Sequence, residues 1–103
     1  MQLSRADLAD FAYFLAIAKH GSFKHAAVAM GVTTSALSHA ITALEGRRGV
    51  RLLNRTTRSV TLTAAGEELR ATIETPMQAI EAAAEKYGEF LGLRAKVVLA
   101  ASK

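Results

Sequence analysis

Between positions 33 and 42 the chain carries Thr33, Thr34, Ser35, Ser38, His39 and Thr42, five hydroxyls and an imidazole within ten residues. Such side chains donate and accept hydrogen bonds over short reach, which suits a face pressed against another surface. Cations surround them. Residues 19–58 hold Lys19, Lys24, Arg47, Arg48, Arg51, Arg55 and Arg58 against Glu45 alone, a net +6, whereas residues 59–90 are net −4 and the whole chain is +4. Several cations within reach of one surface bind a polyanion by releasing its condensed counterions. A merely solvated basic face is the alternative, and charge alone does not separate the two. Bond-making chemistry is poorly supported. Asp7 and Asp10 stand together near the N-terminus, His20, His25 and His39 lack partners at metal-ligand spacing, and no glycine-rich phosphate loop follows a strand. Neither an enzyme nor a metal or cofactor site is expected, and cysteine is absent, which fits a reducing compartment.

The elements that position these groups follow from punctuation and periodicity. Ser4 and Asp7 have capping-box spacing, and Leu8, Phe11, Leu15 and Ala18 recur behind them at steps of three and four, predicting a helix over residues 5–19. Gly21 ends it; Ser22 caps a short second helix carrying Ala26, Ala27 and Met30, which Gly31 closes. After the tight turn Gly31-Val32-Thr33, a third helix runs from 34 to 46, with Gly46 and Gly49 bracketing its end. At about 100° per residue, Ala36, Leu37, Ala40, Ile41, Ala43 and Leu44 take one side of it, and Thr34, Ser35, Ser38, His39, Thr42 and Glu45 take the other. Thr and Ser are mediocre helix formers, so a solvent face would more readily carry Lys, Glu or Gln. Val50–Asn54 and Ser59–Leu62 then read as paired strands with Arg55-Thr56-Thr57-Arg58 as the hairpin tip. The tip suits phosphates or a minor groove, or serves as a charged edge that resists aggregation.

From Thr63 a long helix is predicted, on which Leu69, Ile73, Met77, Ile80, Ala84, Tyr87 and Leu91 recur every three or four residues. Such a seam packs inside its own domain or against a second copy of the helix; the length beyond the compact part favours the homodimer. Pro76 implies a kink or a break into two helices. The segment 94–102 reads as a buried strand, so that a hinge around Gly88–Gly92 leads into an absent domain. The 103 residues, 50% hydrophobic and 21% charged, describe one small soluble domain. No apolar run approaches the roughly 20 residues of a membrane span. The N-terminus lacks the build of a signal peptide, so no membrane contact and a cytoplasmic location are expected.

Taken in order, Phe14-Leu15-Ala16-Ile17-Ala18, Gly21-Ser22-Phe23, Ala26-Ala27, Val32-Thr33-Thr34-Ser35-Ala36-Leu37-Ser38, Ile41, Leu44-Glu45, Gly49-Val50-Arg51-Leu52-Leu53, Arg55-Thr56, Leu62-Thr63 and Ala65-Gly66-Glu67 resemble the N-terminal DNA-binding domain of LysR-type transcriptional regulators. The resemblance covers residues 8–67. It implies a mainly α fold: a winged helix-turn-helix of three helices plus a two-stranded wing over 1–63, then a linker and dimerisation helix over 64–91. Residues 92–103 would form the hinge and the start of an effector domain. It further implies binding to double-stranded DNA at an interrupted palindrome through Ser22, Lys24, Thr33, Thr34, Ser35, Ser38, His39, Thr42, Arg47, Arg51, Arg55, Thr56 and Arg58. The linker helix would form the homodimer, a tetramer stays open for the full-length protein, and a small-molecule effector would act only through the further domain. The family commonly carries Gln at the position of Thr34 and Arg at that of His39, so the base preference here differs. Arg47 and Arg48 stand where relatives are often acidic, which implies stronger phosphate contact. A winged helix used only for protein contact is the competing reading, and a hydrophobic or acidic third-helix face would have favoured it.

Overall fold

The structure, a computed structural model, describes residues 5–56 and 59–101, with side chains described for 6–56 and 59–87. Its elements are α1 (Arg5–His20), α2 (Phe23–Met30), α3 (Thr34–Arg48), β1 (Leu53–Arg55), β2 (Val60–Leu62) and α4 (Ala64–Ala101). The chain divides into two units, Met1–Ile73 and Glu74–Lys103, and α4 contributes to both.

In the first unit the three helices close over Phe14 and Ile17 of α1, Ala26 and Ala27 of α2, and Leu37, Ile41 and Leu44 of α3, with Leu52 and Leu53 beneath them. The larger of these side chains each contribute roughly 1.5–3 kcal/mol on burial. The most buried stripe of α1 is Asp7, Asp10, Phe14 and Ile17, one residue out of step with the stripe that hydropathy selects. Leu8, Phe11, Leu15 and Ala18 are half-buried beside it. The two aspartates account for the difference, because a hydrophobic pattern passes over a carboxylate that is buried against a cation.

The turn from α2 to α3 is built as expected. Ser22 accepts from the His25 amide at 3.2 Å and Thr33 from the Ala36 amide at 3.0 Å, each capping its helix. Gly31 adopts φ 69°, left-handed backbone that a side chain would strain, and lets the Val32 amide return to the Ala27 carbonyl at 3.0 Å. The third helix runs on past Gly46 to Arg48 and is closed by Gly49. The hairpin is antiparallel, with Leu53 opposite Leu62, Asn54 opposite Thr61 and Arg55 opposite Val60. Arg55 is therefore a strand residue and not part of the tip; Arg58, expected at the tip, lies outside the described residues.

The first turns of α4 lock onto the hairpin. The Thr63 hydroxyl donates to the Arg51 carbonyl at 2.6 Å and accepts from the Gly66 amide at 3.0 Å. Gly66 is buried against the Leu52 carbonyl, with no room for a Cβ. Leu69 and Ile73, expected in a dimer seam, are half-buried and pack on the core of their own unit. In the second unit Met77 is buried and Ile80, Ala84 and Tyr87 are exposed; the side chain of Leu91 lies outside the described residues. Of the two outcomes expected at Pro76, the break into two helices does not occur: one helix runs through it, and its missing N–H forfeits a single bond of the ladder. One expectation further along is corrected. The segment 94–101 is helix and not strand, and no break occurs at Gly88–Gly92. Residues 93–101 are rich in Leu, Ala, Arg and Lys, good helix formers that can extend an existing helix, whereas a strand with no sheet leaves its backbone unpaired.

Candidate nucleic-acid interface

The polar side of α3 stands open: Thr34, Ser35, His39 and Thr42 are exposed and Ser38 is half-buried. Leu37, Ile41 and Leu44 on the other side are fully buried and fix the helix in rotation. Ser22 caps α2 and Thr33 caps α3, and Lys24 on α2 and Arg51 ahead of β1 are exposed. Among the described residues no carboxylate lies within ion-pair distance of Lys24 or Arg51, so both are available to an external anion. Thr56, exposed on the wing, also shapes it: its amide and its hydroxyl both donate to the Ser59 carbonyl, at 2.9 and 3.1 Å, and its hydroxyl accepts from the Ser59 amide at 3.0 Å.

Two arginines expected at a phosphate are engaged within the protein. Arg47 donates to Asp10 Oδ2 at 2.6 Å and lies 3.5 Å from Asp7 Oδ1, and Arg48 reaches the same Asp7 oxygen at 3.0 Å. These pairs fasten the last turn of α3 to the first turns of α1. They leave Asp7 and Asp10 buried while both guanidinium groups stay close to half exposed. The hydrogen bond to Asp10 holds the Arg47 guanidinium above its ordinary pKa; the charges of Asp10 and Asp7 add to this, against a smaller cost of desolvation. Arg47 and Arg48 thus tie α3 to α1 while part of each side chain stays open to solvent.

Arg55 turns back onto α3. Its Nη1 donates to Ser38 Oγ at 2.9 Å and its Nη2 to Thr42 Oγ1 at 3.5 Å, with Glu45 Oε1 4.0 Å away. The guanidinium lies over the Phe23 ring, 4.5 Å from its centroid. Glu45 completes the joint, since its Oε2 accepts from the Leu52 and Leu53 amides at 2.8 and 3.2 Å. Sequence reasoning passed over Phe23 and Glu45. The signal available was an aromatic residue directly after the α2 cap, and the one carboxylate in an otherwise basic block. Among the described residues no three His, Asp or Glu side chains are grouped to hold a metal ion.

Three helices whose second and third meet at a tight turn, followed by a two-stranded hairpin, define a winged helix-turn-helix domain. The solved structures that it resembles include the oxidized form of OxyR from Corynebacterium glutamicum (34% identity, TM-score 0.74, covering 84% of this chain and 28% of that one). Another is the DNA-binding domain of CbnR in complex with DNA (32% identity, TM-score 0.62, covering 85% of this chain and 97% of that one). The chain belongs to the lysR family of bacterial regulatory helix-turn-helix proteins, whose sequence model matches residues 8–67. It is 50% identical over 78 residues to a transcriptional regulator of Pseudomonas aeruginosa, a match covering 76% of this chain and 26% of that protein. The chain thus spans about a quarter of the length of such relatives.

Proposed function

We propose that this domain binds double-stranded DNA sequence-specifically, with α3 in the major groove, and serves as the DNA-binding part of a transcriptional regulator. One observation carries the reading: an exposed face of Thr34, Ser35, His39 and Thr42 on a helix held in fixed rotation by its buried side. Short donors and acceptors on such a face suit base edges, where each base pair presents its own pattern. Exposed Lys24 and Arg51 at its margins suit phosphates, which fix register without reading sequence. The complex of the CbnR domain with DNA, similar over 85% of this chain, supports the same reading. An adaptor role in protein contact would call for an apolar or acidic α3 face, and this one is neither.

Pairing through the exposed stripe Ile80, Ala84 and Tyr87 would join two such domains on an interrupted palindrome. Response to a small molecule would belong to a further domain, and the whole would act in the cytoplasm. Selection from a random duplex pool tests the reading directly. A symmetric, interrupted site is expected, with Ser35→Ala and His39→Ala changing preference at individual positions and Lys24→Gln weakening all duplexes alike. Equal losses on selected and random duplexes for both α3 variants would remove the readout assignment.

A further inference from the structure

The hydroxyl of Ser38 has one proton and two lone pairs, and alone it would accept or donate at a base edge with little preference. Here it is not alone. Arg55 Nη1 donates to its Oγ at 2.9 Å, and the guanidinium is held in that pose by the Phe23 ring at 4.5 Å, Thr42 Oγ1 at 3.5 Å and Glu45 Oε1 at 4.0 Å. Glu45 is itself fixed by the backbone amides of Leu52 and Leu53. A serine within a helix often gives its proton to the carbonyl four residues back; among the described residues Ser38 donates to no acceptor.

We propose that Arg55 is a positioning residue that sets the hydrogen-bond polarity of Ser38, so that Ser38 meets DNA as a donor and selects a base edge bearing an acceptor. This rests on the DNA-binding reading above. One lone pair of Oγ is occupied by a charged donor, which also polarises the O–H bond and strengthens what it donates. The acceptors in the major groove are purine N7, guanine O6 and thymine O4; the cytosine and adenine amino groups are donors and are disfavoured opposite Ser38. Arg55 thereby acts on sequence preference without contacting a base. A cation bound to a phosphate would instead weaken all sequences together and lower the salt slope by about one on removal.

The test measures dissociation constants on a selected duplex and on its single base-pair variants, for the wild-type chain, Ser38→Ala, Arg55→Lys and the double variant, each checked for folding by circular dichroism. Arg55→Lys keeps the charge and loses the fork that spans Ser38 and Thr42. The wild-type chain should prefer an acceptor edge at one position by about threefold to tenfold, the worth of one net hydrogen bond. 7-Deazapurine at that position should remove the preference where a purine N7 is the acceptor. Ser38→Ala and Arg55→Lys should each flatten that same position, the double variant should add nothing, and the salt slope should stay unchanged. The proposal is overturned if Arg55→Lys leaves the Ser38-dependent position intact, if Ser38→Ala affects no position, or if the preferred edge is a donor. A wild-type chain that prefers no duplex over random DNA would instead overturn the DNA-binding reading itself.

Discussion

Replacing Gly66 by Ala sets two effects of known sign against each other. Gly66 sits in the first turn of α4, where Ala is the better helix former by about 0.5–1 kcal/mol. A Cβ there falls on the Leu52 carbonyl oxygen, inside any permitted contact, with the Leu52 carbonyl carbon at 3.1 Å and Leu62 Cβ at 3.3 Å. That oxygen is backbone and cannot swing aside, because it accepts from the Thr63 amide at 3.0 Å and belongs to a buried residue. Overpacking of this kind costs about 3 kcal/mol at the upper end of the usual range, and relief by moving the carbonyl gives up a hydrogen bond worth about 1 kcal/mol. The clash therefore outweighs the helix term, leaving a net loss of about 2 kcal/mol, or roughly 10 °C in the melting temperature of a domain this size. Gly46 is the control. It lies within α3 with nothing within 4 Å of an added Cβ, so Gly46→Ala should raise the melting temperature by a few degrees, on the order of 0.5–1 kcal/mol. Thermal and urea denaturation of the two variants decide the matter. If Gly66→Ala is as stabilising as Gly46→Ala, the close approach of α4 to the hairpin is not as described.

Glu45→Ala should destabilise the domain by about 2 kcal/mol in urea unfolding, because it strands the amides of Leu52 and Leu53 in a buried position. Asp10→Asn should cost only about 1 kcal/mol by the same measurement; its partner Arg47 is 43% exposed, so water screens the lost charge interaction. Arg51→Gln should weaken every duplex alike and lower the salt slope by about one in anisotropy titrations across several salt concentrations. Ile80→Asp places a charge on the exposed stripe of α4; light scattering should find a shift from dimer to monomer, and an unchanged mass would dismiss that stripe as the pairing surface.

Much of this molecule is legible from local rules. The helix caps Ser22 and Thr33, the left-handed Gly31 and the apolar side of α3 obey spacing constraints that operate within a few residues. What escapes is what distant partners decide. Asp7 and Asp10 occupy the most buried stripe of α1 because Arg47 and Arg48, far along the chain, neutralise them, and no periodicity of hydropathy records that. Arg55 presents the same difficulty. Its sequence context suggests the hairpin tip, whereas it closes β1 and its direction is set by Phe23 and Ser38 on two other helices. In α4, Leu69, Ile73, Met77 and Ile80 follow one another at helical steps of three or four, while the first two pack on their own core and Ile80 is exposed. A period shows that a stripe exists without showing which stretch of it is already covered.

The ties from α1 to Arg47 and Arg48 bear on how such a domain finds its site in a genome. Of the basic block, Arg47, Arg48 and Arg55 face carboxylates within the fold, leaving Lys19, Lys24 and Arg51 open among the described residues. Affinity for arbitrary DNA grows steeply with the number of cations offered to phosphate. A domain that neutralises its own arginines lingers less on the great excess of irrelevant sequence, so more of its population is free to occupy the operator. Opening the clamp with Asp7→Asn and Asp10→Asn together would release two cations, and competition by bulk genomic DNA should then rise even where affinity for the selected duplex also rises.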